Sequence, residues 1–254
     1  HLARAGDLAI DQNQNLWIAT DQGLSKMNIS TGEITNYKSH SSGNHSLVAN
    51  SLRKIYVGND GRIWIATFGG FSVLDPETEE FTNYHYDPES KEGLKTSRIS
   101  CFMEDSGKVW IGTFDAGVSV LDETTGDFKH YTFEESKKNG IPGNQIDYIA
   151  KSPDGQLWFT TNKGLATYNR KTDDFSTYSH QVNDEESLSD NVVQHIFFDN
   201  TGAMWVSTRF GGVNFYDPRQ KDFYHYEQNI LDENSLPGNN VTSFAEGEDG
   251  RIWV

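Results

Sequence analysis

Asp60-Gly61-Arg62-Ile63-Trp64-Ile65-Ala66-Thr67, followed by Phe68-Gly69-Gly70, Phe71-Ser72-Val73-Leu74-Asp75 and Phe81-Thr82-Asn83-Tyr84, is one copy of a unit that recurs along the chain. The six tryptophans mark its period. Trp17, Trp64, Trp110, Trp158, Trp205 and Trp253 stand 47, 46, 48, 47 and 48 residues apart. Thr follows three residues later at Thr20, Thr67, Thr113, Thr161 and Thr208. Gly precedes an apolar residue at Gly23, Gly70, Gly117, Gly164 and Gly212, and a last segment ends in Tyr37, Tyr84, Tyr131, Tyr178 and Tyr226. Such self-similarity at a fixed period has to be read before any single segment is assigned.

Within each unit apolar residues alternate with small or polar ones over four to six positions, bounded by Gly, Asp, Asn and Pro. That is the pattern of short, half-buried strands. The second unit predicts strands near 52–58, 62–67, 71–75 and 81–86, joined by turns at Asn59-Asp60-Gly61, Gly69-Gly70 and Asp75-Pro76. No segment has helical periodicity. A four-stranded meander repeated every ~40 to 50 residues predicts an all-β fold, a β-propeller of four-stranded antiparallel blades. One blade cannot bury both of its faces, so each Trp is expected to fill the space between neighbours. The blades fall at about 7–51, 52–97, 98–145, 146–191 and 192–240, with a partial one at 241–254, all within one propeller segment spanning 1–254. About five and a half blades do not close a ring, so the segment is expected to be an arc of a seven-bladed ring that continues beyond Val254 and His1, or to be sealed by another copy.

Composition fits a folded chain and narrows its partners. The chain has 254 residues, 35% of them hydrophobic, and 23 glycines. Lys+Arg total 21 against 37 Asp+Glu, a net charge of −16, which repels phosphate backbones and anionic lipid surfaces. Neither nucleic acid nor direct membrane contact is expected. No run approaches the ~18 apolar residues of a membrane helix, and a sequence starting at His1, with neither Met nor an apolar leader, is expected to be a piece excised from something longer. Cys101 is the one cysteine, so no internal disulfide forms, and no metal site or cofactor is expected from the His, Cys or Asp spacing.

The Asp-Gly-x-Ile-Trp-Ile-Ala-Thr core, the Gly-Gly turn and a preceding Ser-Leu-x-x-Asn element resemble the two-component regulator propeller repeat. That last element reads Ser46-Leu47-Val48-Ala49-Asn50, Ser187-Leu188-Ser189-Asp190-Asn191 and Ser235-Leu236-Pro237-Gly238-Asn239. The resemblance implies a periplasmic sensor region of a hybrid two-component system of the Bacteroides type, part of an inner-membrane protein. It also implies an oligosaccharide ligand, transmission to a histidine kinase, no catalysis in this segment, and a homodimer formed through the parent protein. Unit one departs from the pattern with Asn13-Gln14 in place of Asp-Gly, and unit four with Lys163-Gly164 in place of the double glycine.

What every unit shares is most simply explained by the blade, so departures are the candidates for function. By this test Asp75, Asp122 and Asp217, with Asn28 and Asn169 in their place, are turn caps. In a propeller the turns between second and third strands lie on the same face as the connections between blades. That face collects Asp21, Phe68, Phe114, Asp115, Asn162, Lys163, Arg209 and Phe210, which differ while their surroundings agree. Exposed Phe rings can stack on the apolar face of a sugar or pack back on the next blade. Arg209 and Lys163 can donate to hydroxyls or to an acidic sugar's carboxylate, or form surface ion pairs. The runs Glu134-Glu135 and Asp184-Glu185-Glu186 read as solvated loop tips. His130 and His225 share one repeat position and read as edge-strand surface, whereas His195 falls in an innermost strand and reads either as a satisfied structural residue or as lining the channel. Two further readings stay open: a propeller glycoside hydrolase or polysaccharide lyase using carboxylates such as Asp115 and Asp21, and a protein-interaction scaffold.

Overall fold

The computed structural model describes residues 5–39, 46–87, 89, 92–217 and 223–254. The remaining parts of the expected blade segments, at 1–4, 40–45, 88, 90–91 and 218–222, lie outside the described residues. All regular structure is β. The first sheet holds β1 (Ala5–Ile10), β2 (Asn15–Thr20), β3 (Gly23–Asn28) and β4 (Ile34–Tyr37), and the second β5 (Leu52–Val57), β6 (Ile63–Thr67), β7 (Gly70–Leu74) and β8 (Phe81–His85). The third has β9 (Ile99–Asp105), β10 (Lys108–Thr113), β11 (Val118–Asp122) and β12 (Phe128–Tyr131). The fourth has β13 (Ile146–Lys151), β14 (Leu157–Thr161), β15 (Gly164–Asn169) and β16 (Asp174–Tyr178), and the fifth β17 (Val193–Phe198), β18 (Met204–Thr208), β19 (Val213–Tyr216) and β20 (Phe223–Tyr226). A two-stranded pair, β21 (Ala245–Glu246) and β22 (Ile252–Trp253), follows. Each four-stranded sheet is an antiparallel meander in chain order. Two compact units divide the chain, His1–His130 and Tyr131–Val254.

Within the first unit the innermost strands meet in sequence, β1 against β5 and β5 against β9. In the second unit β13 meets β17. The packing follows from the period of two along a strand. Ile63 and Ile65 of β6 join Trp17, Ala19 and Leu24 of the first sheet in one core, while Trp64 and Ala66 of the same strand join Phe102, Val109 and Ile111 of the third. β6 is therefore buried throughout. Trp158 enters a core with Val193, Ile196, Met204 and Val206 of the fifth sheet in the same way. Burying one Trp removes roughly 200 Å² from water, on the order of 5 kcal/mol before ordering costs. Trp17, Trp64, Trp110 and Trp158 are buried. Trp205 is half-buried, and Trp253, in the two-stranded pair, is 63% exposed, so the expected filling role is seen for Trp17, Trp64 and Trp158, each in a core with the next sheet, and not for the last Trp.

The shared residues of the repeat are bonded into the blade. Each repeated Thr hydroxyl donates to the carbonyl of the glycine that opens the third strand: Thr20 to Gly23 at 2.8 Å, Thr67 to Gly70 at 3.0 Å, Thr113 to Gly117 at 2.8 Å, Thr161 to Gly164 at 2.8 Å and Thr208 to Gly212 at 3.1 Å. The same oxygens accept a turn N–H from Gln22, Gly69, Ala116, Lys163 and Gly211. The glycine itself is required. Gly70 has φ +129°, and a Cβ there would strike the Tyr84 carbonyl oxygen of the fourth strand. Asp75, Asp122, Asn28 and Asn169 cap the turns after their third strands by accepting backbone N–H bonds, as expected.

Candidate functional site

The Ser-Leu-x-x-Asn element closes the connections between sheets. Asn50, Asn191 and Asn239 accept the backbone N–H of Ser39, His180 and Gln228 at 2.7, 2.8 and 2.6 Å, and Asn144 does the same for Phe133 at 2.7 Å. Ser187 and Ser235 pin their loops from within, accepting from Gln181 and Asn229 and donating to the carbonyls of Asp184 and Asp232. Leu47 and Leu188 are buried beneath. These shared residues are committed to architecture, which leaves the departures to carry specificity.

One departure recurs at a position that sequence reading did not single out. In every four-stranded sheet the pairing of first and second strands slips by one residue, at Ala5/Asp7, Leu52/Lys54, Ile99/Cys101, Ile146/Ile149 and Val193/His195. A bulge frees one residue from the ladder and re-aims it. The freed positions hold Gly6, Arg53, Ser100, Asp147 and Gln194, chemically unrelated residues in one structural slot. Four of the five stand eleven residues before the repeated Trp, and this dissimilarity at a fixed offset is the sequence signal that could have found them.

In the first unit the bulge places Arg53 between two of the expected site residues. Its guanidinium carbon lies 4.4 Å from the ring centre of Phe68 and 5.0 Å from that of Phe114. Arg98 approaches Phe114 from another side at 5.8 Å and pairs with Asp115 at 3.2 Å. Phe68 is 44% exposed, and Phe114 is half-buried. The structure thus joins Phe68, Phe114 and Asp115 into one patch through two arginines, each cation–π contact worth ~0.5–1 kcal/mol at an exposed site. The Phe rings pack on arginines and keep open edges, an arrangement between the two alternatives expected from sequence. Asp21 occupies the matching β2–β3 turn of the first sheet and is exposed.

In the second unit Arg209 covers the ring of its neighbour Phe210 at 5.5 Å, and its backbone N–H donates to the Val192 carbonyl. Phe210 is 64% exposed and Lys163 exposed. Asn162 Oδ1 and Gln194 Oε1 are buried with no hydrogen-bond partner among the described residues. Asp147, in the bulge, is bonded through both carboxylate oxygens by the Gln145 amide, at 3.2 and 3.1 Å. Burial pushes its carboxyl above the ordinary range, with the Gln145 bonds and the charge of Arg209 acting the other way. His195 leans on the Tyr148 ring at 4.1 Å between ring centres.

His130 and His225 differ from the surface role expected of them. Both are half-buried. His130 Nδ1 bonds Ser119 Oγ at 2.9 Å, and burial, aided by Lys95, lowers its pKa. His225 Nε2 meets the Ser187 carbonyl at 2.8 Å and so holds the preceding connection. The shared position serves loop anchoring, because a fourth-strand side chain reaches the connection packed over its edge. Among the described residues no group of three or more His, Cys, Asp and Glu is placed to hold a metal ion, and no helix is long and apolar enough to cross a membrane.

Many solved structures share this fold, three of which illustrate it. Two are described as extracellular domains of the hybrid two component systems BT3049 and BT4673 from B. thetaiotaomicron. The chain is 22% identical to each, with TM-scores of 0.72 and 0.77, covering 98% and 99% of this chain and 38% and 34% of theirs. The third is PorZ, a surface component of the type-IX secretion system of Porphyromonas gingivalis, at 16% identity and TM-score 0.70, covering 96% of this chain and 36% of PorZ. The chain therefore spans little more than a third of the solved structures it matches. A sequence comparison with curated proteins finds no match. The family model for the two component regulator propeller matches residues 46–69, 187–210 and 235–254, each beginning at a Ser-Leu-x-x-Asn element. An all-β chain of four-stranded antiparallel blades is a β-propeller, and at three places along it the sequence matches the two component regulator propeller model.

Proposed function

We propose that the chain is a non-catalytic, extracytoplasmic sensor segment of a two-component signalling protein, and that it binds an oligosaccharide on the face bearing the β6–β7 and β10–β11 turns. The observation that carries this reading is the Arg53–Phe68–Phe114–Arg98–Asp115 patch. It combines exposed aromatic edges with planar cationic donors, on a scaffold whose shared residues are spent on blade building. Rings stack on the apolar face of a pyranose while guanidinium groups donate to hydroxyls or a carboxylate. Two arginines beside each other in a chain of net charge −16 suit an acidic sugar. The family match and the descriptions of the two B. thetaiotaomicron relatives as extracellular domains support a sensor role in a two-component system; in this reading the segment lies in the periplasm and signals to a kinase. A bound sugar acts on such a kinase only by favouring one of two states, through blade packing or dimer geometry.

The test is calorimetry against a panel of neutral and acidic oligosaccharides, with reducing ends assayed in parallel. Binding without release of reducing ends is expected, weakened roughly tenfold by Arg53→Ala or Phe114→Ala. Affinity unmoved by both substitutions, no binding across the panel, or steady release of reducing ends would each overturn the reading.

A further inference from the structure

The repeat supplies its own control for a second site, away from the turn face. In the first and fifth sheets an Asp six residues before the Trp accepts the indole N–H, Asp11 from Trp17 and Asp199 from Trp205, both at 2.8 Å. In the fourth sheet Ser152 stands at that position. Its hydroxyl is turned to Asp154 and to the backbone of Gln156, so it restores the turn but does not reach the ring. Trp158 is 91% buried, and its N–H makes no hydrogen bond among the described residues.

At this point a cavity of about 290 Å³ opens between the fourth and fifth sheets, walled by Trp158, Phe198, Met204 and Tyr216 and rimmed by Pro153 and Thr201. The corresponding cleft between the first and second sheets is lined by Asp11, Asp60, Arg62 and Asp75, and Arg62 reaches across to Glu123. Aligned on Trp, Ala203 replaces Arg62 and Phe198 replaces Val57, and opposite the residue before the Trp, Tyr216 on Met204 replaces Leu74 on Ile63. Four changes in one cleft turn a polar groove into an aromatic-walled hollow with one open donor.

We infer that this hollow is a binding site for a small neutral aromatic molecule carrying one hydrogen-bond acceptor, which takes the Trp158 N–H. The volume sits at the lower end of ligand pockets. A sugar does not suit it, because its walls are aromatic and the polar groups at its edge are spent on the turn and strands: Gln156 Nε2 on the carbonyls of Leu157 and Tyr168, Thr201 Oγ1 on Asp199, the Ser152 hydroxyl on its own turn, and Asp154 Oδ1 on the Ser152 hydroxyl and the Gln156 N–H. A flat ring between Phe198, Tyr216 and Met204 with a carbonyl on the indole N–H leaves no donor or acceptor stranded.

The experiment is titration of the full chain with acetophenone, read on the indole N–H resonances in ¹⁵N-correlated NMR spectra, with Trp158→Phe assigning the reporter. A saturable shift of the Trp158 resonance at roughly millimolar probe is expected. Ser152→Asp, the residue the first and fifth sheets carry, should remove the response while the other indole resonances keep their positions. Tyr216→Leu, again a sister-sheet residue, should weaken it roughly tenfold. A Trp158 resonance that stays fixed to the solubility limit, a response unchanged in both variants, or an equal shift with methyl galactoside would overturn the inference. The turn-face patch is untouched by these substitutions, so sugar binding there succeeds or fails independently.

Discussion

Replacing Asp11 by Ala isolates what one carboxylate does for a blade. Asp11 accepts from the backbone N–H groups of Asn13 and Asn15, from the Asn15 amide and from Trp17 Nε1, all between 2.8 and 3.2 Å, and it is buried together with Asn15 and Trp17. Asn13 can turn to water, but the indole N–H of Trp17 cannot, since that ring is fully enclosed. Stranding one enclosed donor costs ~1–3 kcal/mol, and weakening the bonds to Asn15 adds to it, so a loss of about 2–4 kcal/mol is expected. For a chain of this size that is roughly a 5–15 °C lower melting temperature. The carboxylate also gives the effect a pH signature. Burial opposes its charge, but the bonds from Asn15, Trp17 and Asn13 outweigh burial and hold its pKa below the ordinary value. A depressed acid contributes stability that is full above the unfolded value of about 3.9 and is lost as pH falls through the lower folded value. Melting curves of wild type and Asp11→Ala should therefore lie well apart at pH 7 and converge toward pH 2. The half-buried turn cap Asp75, which bonds backbone N–H groups of an exposed turn and no indole, should move the curve far less when replaced by Ala. Near-identical stability at pH 7, or a gap that persists undiminished into acid, would refute the assignment.

Two further outcomes follow from the shared residues. Gly70→Ala places a Cβ against the Tyr84 carbonyl at φ +129°, whereas Gly32→Ala, also at positive φ, meets nothing within 4 Å; denaturant melts should show the first variant several-fold more destabilised than the second. Thr161→Val removes a hydroxyl that serves both the Gly164 carbonyl and the Lys163 N–H in a buried turn, and should cost ~1–3 kcal/mol by chemical denaturation, while Thr20→Val, at a half-buried turn, should cost less and Thr161→Ser should restore most of the loss.

The blade itself was legible in the chain because its signals are local. Alternation fixed the strands of the second unit to within a residue, 62–67 expected against Ile63–Thr67 found, since Asp, Gly and Pro end each run. The period-two pattern also carried the sharing of one strand between two cores, seen in Ile63 and Trp64. The site was legible only in part. Phe68, Phe114 and Asp115 stood out as turn residues that differ between copies, but the arginines that join them did not. Arg53 lies in a bulge, and because every four-stranded sheet carries the same slip the spacing to Trp does not mark it; only its dissimilarity from the other copies at that offset does. The empty place at Trp158 was hidden for another reason: the Asp–Trp bond spans six residues and looks like ordinary turn chemistry until its absence coincides with Ala203 and Tyr216 on a different sheet.

The recurring slip in the innermost pairing has an evolutionary consequence. A residue released from the ladder has no register partner to satisfy, so its identity can be exchanged without renegotiating the blade. Gly6, Arg53, Ser100, Asp147 and Gln194 are five independent letters in such a slot, and new recognition can be spelled one sheet at a time while the framework stays as it is.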